Sequence, residues 1–116
     1  VEGQMQGGVM MGLGYALSEE YRERLGVPET DSFGKLGIPR IGQTPRIHCF
    51  IIENPHAQGP FGAKGMGELP LSMGAPSAAH AVRRAAGVWI HSLPLRPEKI
   101  LAALKEAEGG TRSAKR

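Results

Sequence analysis

The sequence is poor in cysteine and aromatic residues, and it has no long apolar run. Cys49 is the one cysteine among 116 residues, so the chain contains neither a disulfide framework nor a cysteine-based metal site. Aromatic residues make up 5% of the sequence, and no basic patch is interleaved with them, which argues against nucleic-acid binding. No stretch reaches the roughly 18 consecutive apolar residues of a membrane-spanning helix, and no secretory leader opens the chain. These absences predict a cytoplasmic protein.

Glycine and proline are abundant instead, with 17 and 9 residues. The glycines fall inside patterned apolar segments, so we interpret them as places of close backbone approach rather than as a sign of disorder. The net charge is +3, and we interpret residues 109–116 as a basic, flexible, solvated tail after one domain at 1–108. Because the sequence begins at Val1 in mid-pattern without an initiator Met, we expect a piece of a longer polypeptide.

Apolar spacing and capping residues predict three helices. Residues 2–24 repeat apolar side chains every three to four positions, and Gly26 gives a stop. A second helix is predicted from Ala75-Pro76 to Gly87, and a third begins at Pro97. The first helix carries interior glycines that each cost about 1 kcal/mol relative to Ala. Tight packing or a ligand against the backbone could compensate, and the sequence leaves both open for Gly7, Gly8, Gly12 and Gly14.

Two segments have the composition of β-strands. Residues 46–53 are rich in β-branched and aromatic side chains on both alternating faces, which is typical of a strand covered on both sides. Residues 88–91 form a second, shorter candidate. The predicted fold class is therefore α+β, with a small mixed sheet packed by about three helices.

The segment from Gly59 to Pro70 combines four glycines with one carboxylate. Positive φ at Gly65 and Gly67 would bring backbone amides within hydrogen-bonding range of an anion. The segment is not a Walker loop, because no Gly-Lys-Ser/Thr follows at the required spacing. It is not a dinucleotide fingerprint either, because Leu69 and Pro70 break that glycine pattern. A purely structural turn is the alternative.

Glu68 follows these glycines directly. Like charge and desolvation both raise the pKa of a carboxylate beside a bound anion, and a general base benefits from such tuning. The alternative is a surface glutamate that interacts with the N-terminal amides of the next helix. The four histidines (His48, His56, His80 and His91) are scattered without ligand spacing, so no metal-ligating residue is predicted.

Two stretches resemble the xanthine dehydrogenase/aldehyde oxidase family. Residues 2–8 (EGQMQGG), with their continuation to residue 17, resemble a segment near the C-terminal end of its molybdopterin-binding (large) subunit. Residues 63–68 (AKGMGE) resemble the Gly-x-Gly-Glu loop that carries the family's base. The Gly-Ala-Pro before the second helix and residues 93–100 (LPLRPEKI) match as well, so the resemblance covers 1–104.

The resemblance implies a molybdenum hydroxylase that oxidises an aldehyde or heteroaromatic C–H with water-derived oxygen. Its cofactor is molybdopterin, or the cytosine dinucleotide form, which holds the molybdenum through a dithiolene. Glu68 matches the general base that takes a proton from the molybdenum-bound hydroxide, and Gln4 matches a glutamine that hydrogen-bonds the cofactor. The cofactor-binding turn is matched by Lys64, Gly65, Met66 and Gly67.

Much of the family's site lies outside these residues. The remainder of the molybdopterin subunit, and iron–sulfur and FAD subunits or domains, are the implied partners, together with a small-molecule substrate that the sequence does not name. The chain alone is expected neither to bind molybdopterin tightly nor to turn over substrate. Two alternatives stay open: a non-catalytic remnant or structural/binding module that keeps the family fold, and a phosphate-binding domain unrelated to molybdenum.

Overall fold

Two helices packed across each other form the centre of the structure, a computed structural model that describes residues 1–113 and side chains up to residue 109. In chain order the helices and strands are α1 (Glu2–Leu17), β1 (Glu23–Arg24), β2 (Val27–Pro28), α2 (Phe33–Leu36), α3 (Gly74–Ala86) and α4 (Pro97–Ser113). Short 3₁₀ turns lie at Ile41–Gln43, Pro60–Gly62 and Leu71–Met73.

The contact between α1 and α3 is made by backbone rather than by large side chains. Gly8, Gly12 and Ala16 are buried, and their spacing of four places them on one face of α1. A Cβ atom added to Gly12 would lie 2.7 Å from the carbonyl oxygen of Leu71 and 2.8 Å from the Cα atom of Gly74. Packing therefore explains the glycine at position 12, which was one of the two explanations left open by the sequence.

The first helix is shorter than predicted. It ends at Leu17 rather than at residue 24, and the chain then forms an antiparallel hairpin of β1 and β2. Leu25 and Gly26 make its two-residue turn with φ of 52° and 79°, as a tight hairpin turn requires. Gly26 thus serves a hairpin turn and not a helix end. Tyr21, which was predicted on the apolar helix face, is 61% exposed.

Neither predicted strand is present. Across residues 1–113 the only paired strands are β1 and β2, so the small mixed sheet is corrected to one short hairpin in a mainly helical chain. A strand needs a hydrogen-bonded neighbour, and residues 46–53 form no backbone–backbone hydrogen bond with any described residue. Phe50 and Ile52 are 82% and 91% exposed. The strand-like segment therefore has no strand partner among the described residues.

Residues 88–91 contact α3 through side chains instead of forming a strand. The Trp89 ring lies edge-on to the His80 ring, with centroids 5.1 Å apart and planes at 85°. The guanidinium carbon of Arg83 lies 5.8 Å from the Trp89 ring centroid, within the range of a cation–π interaction.

The predictions for the later helices are confirmed at three of their ends. The second helix, α3, begins within one residue of the predicted start, and Gly87 ends it in the left-handed region with φ of 75°. Gly87 donates its N–H to the carbonyl of Arg83, a common helix ending. The helix predicted to begin at Pro97 is α4.

The start of α4 is attached to the end of α1. The N–H of Leu95 donates to the carbonyl of Ala16 at 2.7 Å, and the Arg96 guanidinium lies 2.6 Å from the Glu20 carboxylate. Beyond this attachment, α4 makes no contact with α1 or α3 comparable to the one between those two helices, so packing by three helices is not confirmed. The helix continues past 109 to Ser113, and residues 114–116 of the predicted tail lie outside the described residues.

The chain is extended and has a very small core. Its radius of gyration is 19.0 Å, whereas a compact domain of this length has about 13–14 Å. Among the described side chains, the buried hydrophobic ones are Ala16 and Leu95. Large apolar side chains such as Phe33 and Ile41 are 80% and 94% exposed, and large exposed apolar patches are typical of interaction surfaces. No helix within residues 1–113 is long and apolar enough to cross a membrane.

Replacing Gly12 by Ala is expected to destabilise the protein by about 1–3 kcal/mol, because the new methyl group meets backbone atoms that cannot rotate away. The measurement is the free energy of unfolding of Gly12→Ala and the parent protein. Gly34→Ala is the matched control, since Gly34 lies in α2 with nothing within 4 Å of an added Cβ. Equal stability of the two variants would contradict the close approach at Gly12.

Candidate functional site

A cavity of about 330 Å³ lies between the first half of α1 and the loop that precedes α3. Glu68 lies on the loop side of this cavity, and Gln4 lies on the helix side. The complete set of lining residues is Gln4, Gly7, Gly8, Met11, Gly67, Glu68 and Leu71.

Close packing brings the loop to the helix. A Cβ atom on Gly8 would lie 2.7 Å from Cβ of Pro70 and 3.1 Å from the backbone nitrogen of Leu71, so the glycine allows this contact. The N–H of Leu71 donates to the carbonyl of Glu68 at 3.1 Å. The backbone around the carboxylate is therefore fixed on its C-terminal side by the turn into α3.

Gln4 fixes the same loop from the other side. Its Nε2 atom donates to the carbonyl oxygen of Gly67 at 2.6 Å, across 63 positions of sequence. This contact joins the first turn of α1 to the residue immediately before Glu68. The side-chain amide nitrogen of Gln4 therefore binds the loop, and its carbonyl oxygen remains able to accept a hydrogen bond.

The side chain of Glu68 is exposed and borders the cavity. Its carboxylate forms no ion pair or hydrogen bond with any side chain up to residue 109. The arrangement combines a fixed backbone with a carboxylate that is free to accept a proton or a hydrogen bond. The alternative role, binding helix N-terminal amides, has no supporting hydrogen bond.

The loop does not form the predicted positive-φ nest. Neither Gly65 nor Gly67 has a positive φ. The residues of this loop that do are Phe61, with φ of 52°, and Gly62, with φ of 81°. The tight turn is made there, where Gly62 accepts from the N–H of His56 at 3.0 Å and donates to Gly59 at 3.0 Å. Because the turn is completed at Gly62, Gly65 and Gly67 do not need a positive φ.

Gly65 and Gly67 instead leave open space. A Cβ atom added to either would meet nothing within 4 Å. The backbone N–H groups of residues 64–67 donate no hydrogen bond to any described residue. This stretch therefore presents unobstructed backbone donors, although not in the nest geometry expected from the sequence.

The structure divides the site residues predicted from the sequence into two groups. Gln4, Gly67 and Glu68 share the cavity described above. A neighbouring cavity of about 420 Å³ is lined by Lys64, Gly65 and Met66 together with Val1, Met5, Phe50, Ile51, Ile52 and Leu69. Four lining residues of the first cavity were not predicted as site residues. Gly7 and Gly8 had a signal as interior helix glycines, whereas Met11 and Leu71 had none.

The remaining features offer weaker sites. The described residues contain no group of three or more His, Cys, Asp or Glu that could hold a metal ion. A larger cavity, about 550 Å³, lies beside the hairpin and α2 and is lined mainly by apolar atoms. Its carboxylate, Asp31, is paired with Lys35 at 2.8 Å. The hydrogen bond and charge of that ammonium group lower the pKa of Asp31. Unlike Glu68, this carboxylate is therefore already paired with a side chain of the chain itself.

Comparison with known proteins relates this chain to molybdopterin-binding proteins. Residues 1–45 match the family model of a molybdopterin cofactor-binding domain. Aldehyde oxidoreductase of Megalodesulfovibrio gigas is 39% identical over 105 residues, which are 90% of this chain and 11% of that protein. The xanthine dehydrogenase molybdenum-binding subunit of Escherichia coli O157:H7 is 34% identical over 101 residues, which are 85% of this chain and 13% of that protein.

The backbone agrees with these relatives. The crystal structure of quinoline 2-oxidoreductase from Pseudomonas putida 86 matches 90% of this chain and 14% of that chain, with a TM-score of 0.81 and 30% identity. Two of these proteins are oxidoreductases by name, and the third is the molybdenum-binding subunit of a xanthine dehydrogenase. The chain belongs to the xanthine dehydrogenase/aldehyde oxidase family, in its molybdopterin-binding part. It spans roughly an eighth of the length of the relatives it matches.

Loss of the Gln4 side-chain amide is expected to loosen the loop that carries Glu68. Gln4→Ala removes the hydrogen bond to Gly67, which contributes about 1 kcal/mol. Hydrogen–deuterium exchange at the N–H of Leu71, which donates to the carbonyl of Glu68, should become faster. Gln6→Ala is the control, because Gln6 is exposed on the same helix and lines none of the cavities described here. Unchanged exchange in Gln4→Ala would show that the bond does not hold the loop.

Proposed function

We propose that this chain forms one wall of the molybdopterin site of a molybdenum hydroxylase, with Glu68 as the general base. One observation carries the proposal: an unpaired carboxylate borders a cavity, and its loop backbone is fixed from both sides, by Gln4 and by the turn into α3. A general base needs this combination, because its position must be set while its carboxylate stays free to accept the proton.

The residues of the cavity fit a molybdopterin. The cavity volume, about 330 Å³, is at the lower end of the range of small-molecule sites. This chain therefore supplies only part of the surface that contacts the cofactor. Open backbone at Gly67 admits a bulky group. The carbonyl oxygen of Gln4 and the unbonded N–H group of Gly67 provide an acceptor and a donor for the polar edge of a pterin, and the unbonded N–H groups of residues 64–66 lie along the neighbouring cavity.

The proposed chemistry divides between cofactor and protein. When bound, the cofactor supplies the metal centre at which water-derived oxygen is transferred to the substrate and two electrons are taken up. Glu68 accepts the proton of the attacking hydroxyl group at its carboxylate. The hydrogen bond from Gln4 to Gly67 holds the backbone so that this carboxylate keeps its place along the cavity. Side chains that would exclude water above Glu68 come from outside this chain, since Glu68 is exposed within it.

The substrate and partners are proposed from the relatives. Those relatives are named as oxidoreductases of aldehydes, hypoxanthine, xanthine and quinoline, so we assign an aldehyde or a nitrogen heteroaromatic compound. The rest of a molybdopterin subunit covers the exposed apolar surface. Iron–sulfur and FAD groups, on other domains or subunits, carry the electrons away. The cytoplasmic location inferred from the sequence stays a prediction.

The general-base role is tested by Glu68→Gln in the complete enzyme. Turnover is expected to fall by about 10²–10⁴-fold, because the amide cannot accept the proton, while molybdenum and pterin content stay near the parent values. Glu29→Gln is the control for loss of one negative charge, since Glu29 is exposed and lies outside the cavity. A loss smaller than tenfold would place the base elsewhere and favour a non-catalytic role for this segment.

A further inference from the structure

Gly7 lies in α1 beyond its first turn and has no packing role among the described residues. Gly8 and Gly12 approach the backbone that leads into α3, and a Cβ on Gly14 would lie 2.8 Å from Cδ of Pro39. Gly7 lies in the same helix, yet a Cβ added there would meet nothing within 4 Å. An interior helix glycine lowers the folding equilibrium constant about fivefold relative to alanine. No contact among the described residues explains why alanine is absent at this position.

Gly7 lies on the face of α1 that borders the cavity. Gln4 and Met11, three residues before it and four residues after it, line the same cavity, and residues at this spacing share one helix face. On the opposite wall are Gly67 and Glu68. A methyl group at position 7 would therefore extend from the helix into the space between Gln4 and the carboxylate.

We propose that Gly7 is a cofactor-contact position: the missing side chain leaves room for molybdopterin to lie against the backbone of α1. This inference rests on the proposed function. The contact is steric, because the N–H of Gly7 lies inside the helix and bonds to the helix backbone. It is distinct from the role of Gly8, whose missing side chain accommodates Pro70.

The competing explanation is that another polypeptide segment packs on Gly7. The two explanations predict opposite behaviour of the cofactor-free protein. If a ligand fills the space, Gly7→Ala raises the melting temperature of the cofactor-free enzyme, because alanine favours the helix and meets nothing. If protein fills the space, the same substitution lowers that temperature, because the methyl group is overpacked.

The test compares Gly7→Ala with Gly3→Ala in the complete enzyme, produced with and without molybdopterin. Gly3 is the matched control, since it lies in the same helix, has nothing within 4 Å of an added Cβ and does not line the cavity. Without cofactor, both variants are expected to melt at or above the parent temperature. With cofactor, Gly7→Ala is expected to retain at most a tenth of the parent pterin and molybdenum, while Gly3→Ala retains all of it.

Each other result overturns the inference. Parent-like pterin content in Gly7→Ala would show that the cofactor does not approach this position. A lower melting temperature of cofactor-free Gly7→Ala would assign the space to a protein segment. Either result leaves the base role intact if Glu68→Gln still abolishes turnover. A parent enzyme that carries no molybdopterin would overturn the proposed function and this inference together.

Discussion

The close approach of α1 and α3 through glycine determines the geometry of the site. At the crossing, Gly12 faces Gly74, so backbone meets backbone. One turn earlier on α1, Gly8 admits Pro70 and thereby places the loop against the first turns of the helix. Only at that separation can the short side chain of Gln4 reach the carbonyl of Gly67. Two segments far apart in sequence thus form one cavity because side chains are missing between them.

Because glycines rather than large side chains make the contact between α1 and α3, the chain has only a small hydrophobic core. Close helix packing buries small residues, and among the described side chains the buried hydrophobic ones are Ala16 and Leu95. Burial stabilises a fold by roughly 25 cal/mol per Å² of apolar surface, so small buried side chains contribute little. Phe50 and Ile52 stay exposed beside the loop. The surface next to the site is therefore suited to being covered by further polypeptide.

Sequence-based predictions succeeded where the structure depends on neighbouring residues and failed where it depends on residues far along the chain. Helix ends at Gly87 and Pro97 were predictable because caps act locally. The strand at 46–53 was not, since a strand depends on a neighbour that the local pattern does not specify. Glu68 was singled out by its place after the loop glycines and Gln4 by family resemblance alone, and both line one cavity. The contact from Gln4 to the loop backbone had no sequence signal, because it depends on the α1–α3 crossing.

The sequence misassigned the cause of the loop glycines Gly65 and Gly67 and left that of the α1 glycines open, because residue identity alone does not distinguish the reasons for a glycine. Glycine is required either where φ is positive or where a side chain would obstruct a neighbour, and the sequence pattern is the same in both cases. Here Phe61 and Gly62 make the turn, whereas Gly7, Gly65 and Gly67 have ordinary φ and open space around them. Where such a glycine lines a cavity, as Gly7 and Gly67 do, it leaves space that a partner group is expected to use. Such glycines on both walls beside an unpaired carboxylate make this cavity, rather than the larger one by the hairpin, the place where chemistry is expected.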